Sequence, residues 1–192
     1  FRYSFGSEYM SKDFEINDLG INFRTNYYSF TGNTSYRILN PNKTFNTFRV
    51  NLNSYFEFYT PTNQIQSSVF SANLNSTDKK NHYYGAGINV NPFKNYDYYE
   101  PRVANRYFVN PTNMGGFFYF SSNYNYKFAI DVEPFLNHVI NENRYEAGVN
   151  ISPRYRFSDK FSLVYSFNYF KLKNDIGWID FENSNIIFAR RD

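Results

Sequence analysis

Apolar and polar residues alternate along most of this chain. Phe48, Val50, Leu52, Phe56 and Phe58 interleave with Arg49, Asn51, Asn53, Tyr55 and Glu57. Phe128, Ile130, Val132, Pro134 and Leu136 do the same with Asp131, Glu133 and Asn137. So do Tyr145, Ala147, Val149, Ile151, Pro153, Tyr155 and Phe157 with Glu146, Asn150, Arg154 and Arg156. Successive side chains of a strand point to opposite faces, so each stretch has one oily face and one polar face. The pattern predicts about ten strands, near 1–11, 26–39, 47–59, 65–77, 82–92, 115–125, 127–138, 144–158, 160–173 and 186–192. No stretch has a helical period with caps, and no period of about 20 to 50 residues recurs.

The predicted connections alternate in length. Short turns at Asn40–Asn46, Thr77–Asn81, Asn125–Tyr126 and Ser158–Asp159 occupy every second junction. The other junctions hold the longer segments 12–25, 93–114 and 174–185, with 60–64 and 139–143 as shorter exceptions. One tight rim and one loop-rich rim is the build of an up-and-down membrane barrel, periplasmic turns at one end and extracellular loops at the other. A soluble β-sandwich has no reason to sort its loops by parity. Pro41, Pro61, Pro101 and Pro111 fall in turns or the long loop, whereas Pro92, Pro134 and Pro153 fall in or at strands. Proline cannot donate to a ladder, so bulges or an unpaired edge are expected at those three.

Two barrels would produce this alternation, a soluble one with the oily face inward and a membrane one with it outward. On the polar side Arg49, Glu57, Asp131, Glu133, Glu146, Arg154 and Arg156 stand among Asn, Ser and Tyr, while most of the lysine lies in turns or at strand ends. That mixture suits a lumen crossed by arginine–carboxylate pairs and amide ladders. The oily side carries almost no charge except Lys171, as lipid demands, since a midplane charge costs about 2–4 kcal/mol. Tyr3, Tyr9, Tyr28, Tyr36, Tyr145 and Tyr155 near strand ends would form aromatic girdles, or serve merely as good strand formers.

Composition sharpens this picture. The chain has 23 Phe and 20 Tyr but a mean hydropathy of −0.64, because Asn, Ser and Thr fill the alternate positions. A membrane helix needs about 20 consecutive apolar residues, and the sequence has no such run. The absence of Cys excludes disulfides and thiolate sites, and a net charge of +3 spread singly along the strands excludes nucleic acid as an expected partner. The fold class expected is therefore all-β, an antiparallel up-and-down transmembrane β-barrel. The chain opens in strand rhythm at Phe1 and stops at Ala189-Arg190-Arg191-Asp192, directly after the apolar run Ile186-Ile187-Phe188, so residues 1–192 are expected to be one domain or a segment of a larger barrel.

Candidate chemistry is sparse. His82 and His138 lack metal-ligand partners at recognisable spacing and read as rim imidazoles. Ser67, Ser68 and Ser71 could approach His82 across a hairpin, the arrangement a membrane-embedded hydrolase would need, but no nucleophile elbow accompanies them. No catalytic residue, metal ligand or cofactor is assigned, and the chain is expected not to be an enzyme. The most distinctive string is Lys94-Asn95-Tyr96-Asp97-Tyr98-Tyr99-Glu100-Pro101-Arg102. Its candidate ligand-binding residues are Tyr96, Asp97, Tyr98, Tyr99, Glu100 and Arg102, which could stack a sugar or hold a divalent cation. The same loop could instead fold back as a plug, with Arg102 or Arg106 paired to a wall carboxylate. Trp178 is expected to anchor at the outer interface.

Four strings occur in order: Ile16-Asn17-Asp18-Leu19-Gly20, Tyr96 to Arg102, Ile151-Ser152-Pro153-Arg154-Tyr155-Arg156-Phe157 and Asn174-Asp175-Ile176-Gly177-Trp178. With them the chain resembles the barrel region of an uncharacterised Bacteroidota outer-membrane family whose members carry an N-terminal carbohydrate-binding-like module. The resemblance implies a bacterial outer-membrane location and supplies no activity. The expected function is a structural or transport-associated barrel, including a place in an envelope uptake or export assembly. Expected partners are outer-membrane lipid and other outer-membrane or periplasmic proteins, and the alternatives are a carbohydrate-binding β-protein or a membrane-embedded hydrolase.

Overall fold

Each long alternating run forms a strand that pairs antiparallel with the next one along the chain. The computed structural model describes residues 1–14, 24–103, 105–182 and 185–192. In order the strands are β1 (Arg2–Met10), β2 (Tyr27–Ile38), β3 (Phe45–Tyr59), β4 (Gln64–Asp78), β5 (Tyr83–Asn91), β6 (Asn95–Asp97), β7 (Phe108–Asn110), β8 (Asn113–Ser121), β9 (Phe128–Val139), β10 (Tyr145–Ser158), β11 (Phe161–Val164), β12 (Phe167–Lys173), β13 (Asp175–Glu182) and β14 (Asn185–Arg191). β1 to β5 and β8 to β12 form a 10-stranded meander, with β11 and β12 continuing one another along β10. β6 with β7, and β13 with β14, form separate two-stranded ladders. The protein is all-β and antiparallel, with no helix among the described residues.

Two expectations are corrected. The 174–185 connection contains β13, and the run at 186–192 is β14, paired with β13 instead of joining the large sheet. The 93–114 loop holds β6 and β7, and the strand foreseen at 115–125 runs from Asn113 to Ser121. Among the described residues, β1 and the β11–β12 line are the two edges of the large sheet and do not pair with each other. The string Ile16 to Gly20 lies outside the described residues.

Register keeps the two faces separate across the whole sheet. Leu52 lies between Thr34 and Ala72, Ala72 opposite Ile88, Ile88 opposite Gly116, Gly116 opposite Leu136, and Leu136 opposite Ala147. On this face Leu52 is 54%, Ile88 58%, Leu136 51% and Leu163 56% exposed. Cross-strand aromatic contacts tile it, Tyr28 stacked on Phe58 at 5.0 Å and Phe56 edge-on to Phe70 at 5.3 Å. Such pairs contribute about 0.5–1.5 kcal/mol each beyond their buried area. The buried side chains are instead polar, among them Ser29, Ser35, Asn51, Glu57, Gln66 and Ser68, while the buried hydrophobic residues are Tyr27 and Ala129. Among the described residues, the sheet has no oily core.

Two prolines explain two faults in the ladders. Tyr165 N–H donates to the Pro153 carbonyl at 3.0 Å, but Pro153 has no N–H to return the bond. The break between β11 and β12 falls at that point. Pro134 likewise sits where the β8–β9 pairing lapses between Phe117–Phe135 and Phe120–Val132. The expected disturbance is therefore a gap in each case, not a bulge. Turns rely on asparagine, with Asn63, Asn81 and Asn141 at φ of 55°, 60° and 64°, the left-handed region that Asn tolerates better than most residues.

Phe117, Phe135 and Phe170 form one cross-strand row on the polar face, with Gly148 between the last two. A Cβ on Gly148 would stand 2.6 Å from both the Phe135 ring and the Tyr169 carbonyl oxygen. The ring can swing away, but the carbonyl belongs to the β10–β12 pairing. Gly148→Ala is therefore expected to cost about 1–3 kcal/mol by overpacking, read as a lower denaturant midpoint. Gly177→Ala, where a Cβ meets nothing within 4 Å, is the neutral control.

Candidate functional site

The polar face is cross-linked by side-chain amides. Asn33 donates to Asn53 at 2.5 Å, Asn53 to Ser71 at 3.0 Å, Asn51 to Asn73 at 2.5 Å and Asn75 to Asn73 at 3.3 Å. The register puts Arg49, Glu57, Asp131, Glu133, Glu146, Arg154 and Arg156 on this same face. Among the described residues, no close ion pair joins any two of them, contrary to the expected arginine–carboxylate pairs. Hydroxyls and amides hold three of the four carboxylates instead. Tyr55 donates to Glu57 at 2.6 Å, Tyr124 to Asp131 at 2.6 Å, and Asn137 to Glu146 at 3.2 Å. Arg49 Nε donates to Asn51 at 2.6 Å, Arg156 to the Tyr124 carbonyl at 2.8 Å, and Arg154 lies 4.4 Å from the centre of the Tyr124 ring. Asp131 and Arg154 stand on neighbouring strands and meet through Tyr124, whereas Arg49 and Glu57 stand eight residues apart along β3.

At the rim that carries the longer connections, residues 92–103 and 105–112 fold onto the β3–β4 hairpin. Asn95 and Ser68 are both buried and bonded to one another at 2.9 Å. Asp97 caps the turn, its Oδ1 accepting from the Tyr99 and Glu100 amides at 2.8 and 3.0 Å, so that oxygen is engaged locally. Tyr98 stacks on Tyr59 at 4.0 Å and donates to Gln64. Tyr96 and Tyr98 both pack against Tyr107. Tyr99 donates to the Thr25 carbonyl, accepts from Gln66, and has the Arg24 guanidinium 5.1 Å from its ring centre. The tyrosine faces are thus largely occupied by the protein itself.

Burial, assisted by the negative charge of Glu57, pushes the Tyr99 hydroxyl up to about 12. A tyrosine in the unfolded chain ionises near 10. As pH rises past that value the unfolded state loses its proton first. The stabilisation from Tyr99 is therefore complete below about pH 10 and is lost towards about pH 12. Ultraviolet phenolate titration is expected to show a late-ionising tyrosine near pH 12 that disappears in Tyr99→Phe.

The β13–β14 hairpin meets this loop. Arg102, itself in the left-handed region at φ 57°, places its guanidinium 4.2 Å from the centre of the Trp178 ring system. The backbone amide of Trp178 donates to Glu100 Oε1 at 3.3 Å, and Phe108 packs on Phe188 at 4.7 Å. Arg102 is thus partnered by an aromatic ring, not by a wall carboxylate, and Trp178 sits half-buried against it. A left-handed conformation is costly for a non-glycine residue, and these contacts hold it in place.

The remaining candidates separate. His82 Nδ1 accepts from the Asn123 amide at 3.0 Å, in contact with Phe120 and Tyr126 at the tight-turn rim. Ser67 and Ser68 lie towards the opposite end of β4, and Ser71 pairs with Asn89, so none of the three approaches His82. His138 lies on the apolar face opposite Tyr145. Among the described residues, no group of His, Asp and Glu could hold a metal ion. The contacts of Arg24, Ser68, Phe108 and Phe188 carried no sequence signal, because each partner is remote in the chain.

A search of curated proteins finds no match, and none is found among solved structures. The profile of one family covers residues 1–192, the whole chain. With that coverage, the chain belongs to the DUF5916 family, a domain of unknown function.

Proposed function

We propose that this chain forms the wall of a bacterial outer-membrane β-barrel with a structural or transport-associated role. One observation carries the reading. Large hydrophobic side chains cover one face of a long meander and stay exposed, while most of the enclosed side chains are Ser, Asn, Gln and Glu. In water such a face would be an interaction surface far larger than a monomer normally leaves open. Against lipid it is the expected outer surface, and the hydrogen-bonded polar face becomes the lumen. The open edges at β1 and β11–β12 must then be closed by each other or by further strands, because an unpaired edge is not tolerated in hydrocarbon.

The loop-rich rim is the extracellular one in this reading, with the 92–112 loop and the β13–β14 hairpin forming a cap over part of the mouth. Lys171 and Lys173 share the oily face near the end of β12, where their chains can reach the interface. The resemblance to Bacteroidota outer-membrane barrels points the same way, with other envelope proteins as partners. An open sugar platform has less support, since Tyr98 and Tyr99 are covered by Tyr59 and Arg24.

The test is solvent dependence. The full chain is expected to refold only in micelles or lipid vesicles and to gain protease resistance on insertion. A monodisperse, folded protein in detergent-free buffer would overturn the proposal.

A further inference from the structure

We propose that the polar face binds an oxyanion, a phosphate, sulfate or carboxylate carried on a small solute, where Arg37 and Arg49 oppose each other. Arg37 of β2 is paired in register directly with Arg49 of β3. Arg2 of β1 lies opposite Ser35, one step along the same face. Like charges directly opposite across strands repel, so three arginines converging here need compensation. No carboxylate supplies it, because none lines the groove beneath them.

The details favour a ligand over a strained accident. Arg37 Nε is enclosed and has no hydrogen-bond partner, an arrangement that is costly unless something completes it. Arg49 is fixed through Nε by Asn51 at 2.6 Å. Guanidinium forks match the oxygens of phosphate, sulfate and carboxylate, and two of them give more contacts than one. The groove has a volume of ≈ 640 Å³ and is lined by Asn33, Asn53, Asn73 and Asn75. That space exceeds a bare anion and falls in the range of small-molecule sites, about 300–1,000 Å³. Amides both donate and accept, so the walls suit hydroxyls on the carrier. The inference goes beyond the barrel reading and does not rest on it, since the site is on the polar face whatever the other face contacts.

The experiment is calorimetric titration of the full chain, refolded in nonionic detergent, with inorganic phosphate, sulfate and glucuronate, alongside thermal melts. Saturable binding that weakens with added sodium chloride is expected. Arg37→Gln should weaken it at least tenfold, and Arg37→Gln with Arg49→Gln should abolish it. Without anion, Arg37→Gln should leave Tm unchanged or raised, because it relieves repulsion and breaks no hydrogen bond. Tighter binding of glucuronate than phosphate would identify a sugar acid as the carrier, and equal binding would place the affinity in the oxyanion alone. The proposal fails if none of the three binds saturably, or if Arg37→Gln binds as the parent does. Should the double variant not fold, the single variant still decides.

Discussion

Leu52→Arg is expected to destabilise the protein in lipid vesicles by about 2–4 kcal/mol, the cost of a cationic side chain at the bilayer midplane. Leu52 stands at the centre of β3, with the strand running from Phe45 to Tyr59, and its side chain is 54% exposed with no covering element. In water, such a change at an exposed position away from special features alters stability by less than about 0.5 kcal/mol. The two solvents therefore give answers that differ several-fold. Leu39→Arg supplies the internal comparison. Leu39 is even more exposed, at 71%, but lies in the turn after β2, where the depth-dependent cost falls to about 0–1 kcal/mol. Equilibrium unfolding by guanidinium from vesicles measures both. Equal effects at the two leucines would mean that the oily face does not meet hydrocarbon.

The wall was legible in the sequence because a strand's period is two and the oily face never changes sides. From Phe48 to Phe58 only Ser54 departs from the alternation, and β2 pairs with β3 in one unbroken register, whereas in β4 a register shift between Ile65 and Ser67 moves the oily parity. β13 escaped because its pattern breaks. Asp175, Gly177 and Asp180 read as turn residues, and a register shift between Trp178 and Asp180 disrupts the alternation that would have marked a strand. Pro153 announced a fault but not its form, since only the partner strand shows that Tyr165 is the residue left without a returning bond. At the loop-rich rim, Tyr96 to Arg102 stood out as unusual chemistry. The partners that occupy them, Tyr59, Arg24 and Trp178, come from distant parts of the chain, and no local pattern encodes such meetings. Whether the two sheet edges close is equally non-local.

The second large effect is expected at Asn51, where apolar substitution should harm a buried position. Asn51 is 5% exposed, accepts from Arg49 Nε at 2.6 Å and donates to Asn73 at 2.5 Å. Asn51→Leu keeps a similar volume but leaves the Arg49 donor unpaired and strips Asn73 of one of its two donors, the other being Asn75. An unsatisfied buried group costs about 1–3 kcal/mol, more when charged, so a loss of about 2–4 kcal/mol in the unfolding free energy is expected. In a protein with an oily core the added Leu would recover about 1.5–3 kcal/mol through burial. Here the neighbours are amides and an open polar groove, so little returns. A double-mutant cycle with Arg49→Leu separates the two accounts. If the amide ladder is the agent, Asn51→Leu in the Arg49→Leu background should cost less than in the parent, with a coupling of about 0.5–3 kcal/mol. Strict additivity would mean that the Arg49–Asn51 bond contributes nothing, and Arg49 would then lose its place in the polar ladder that holds this sheet in register.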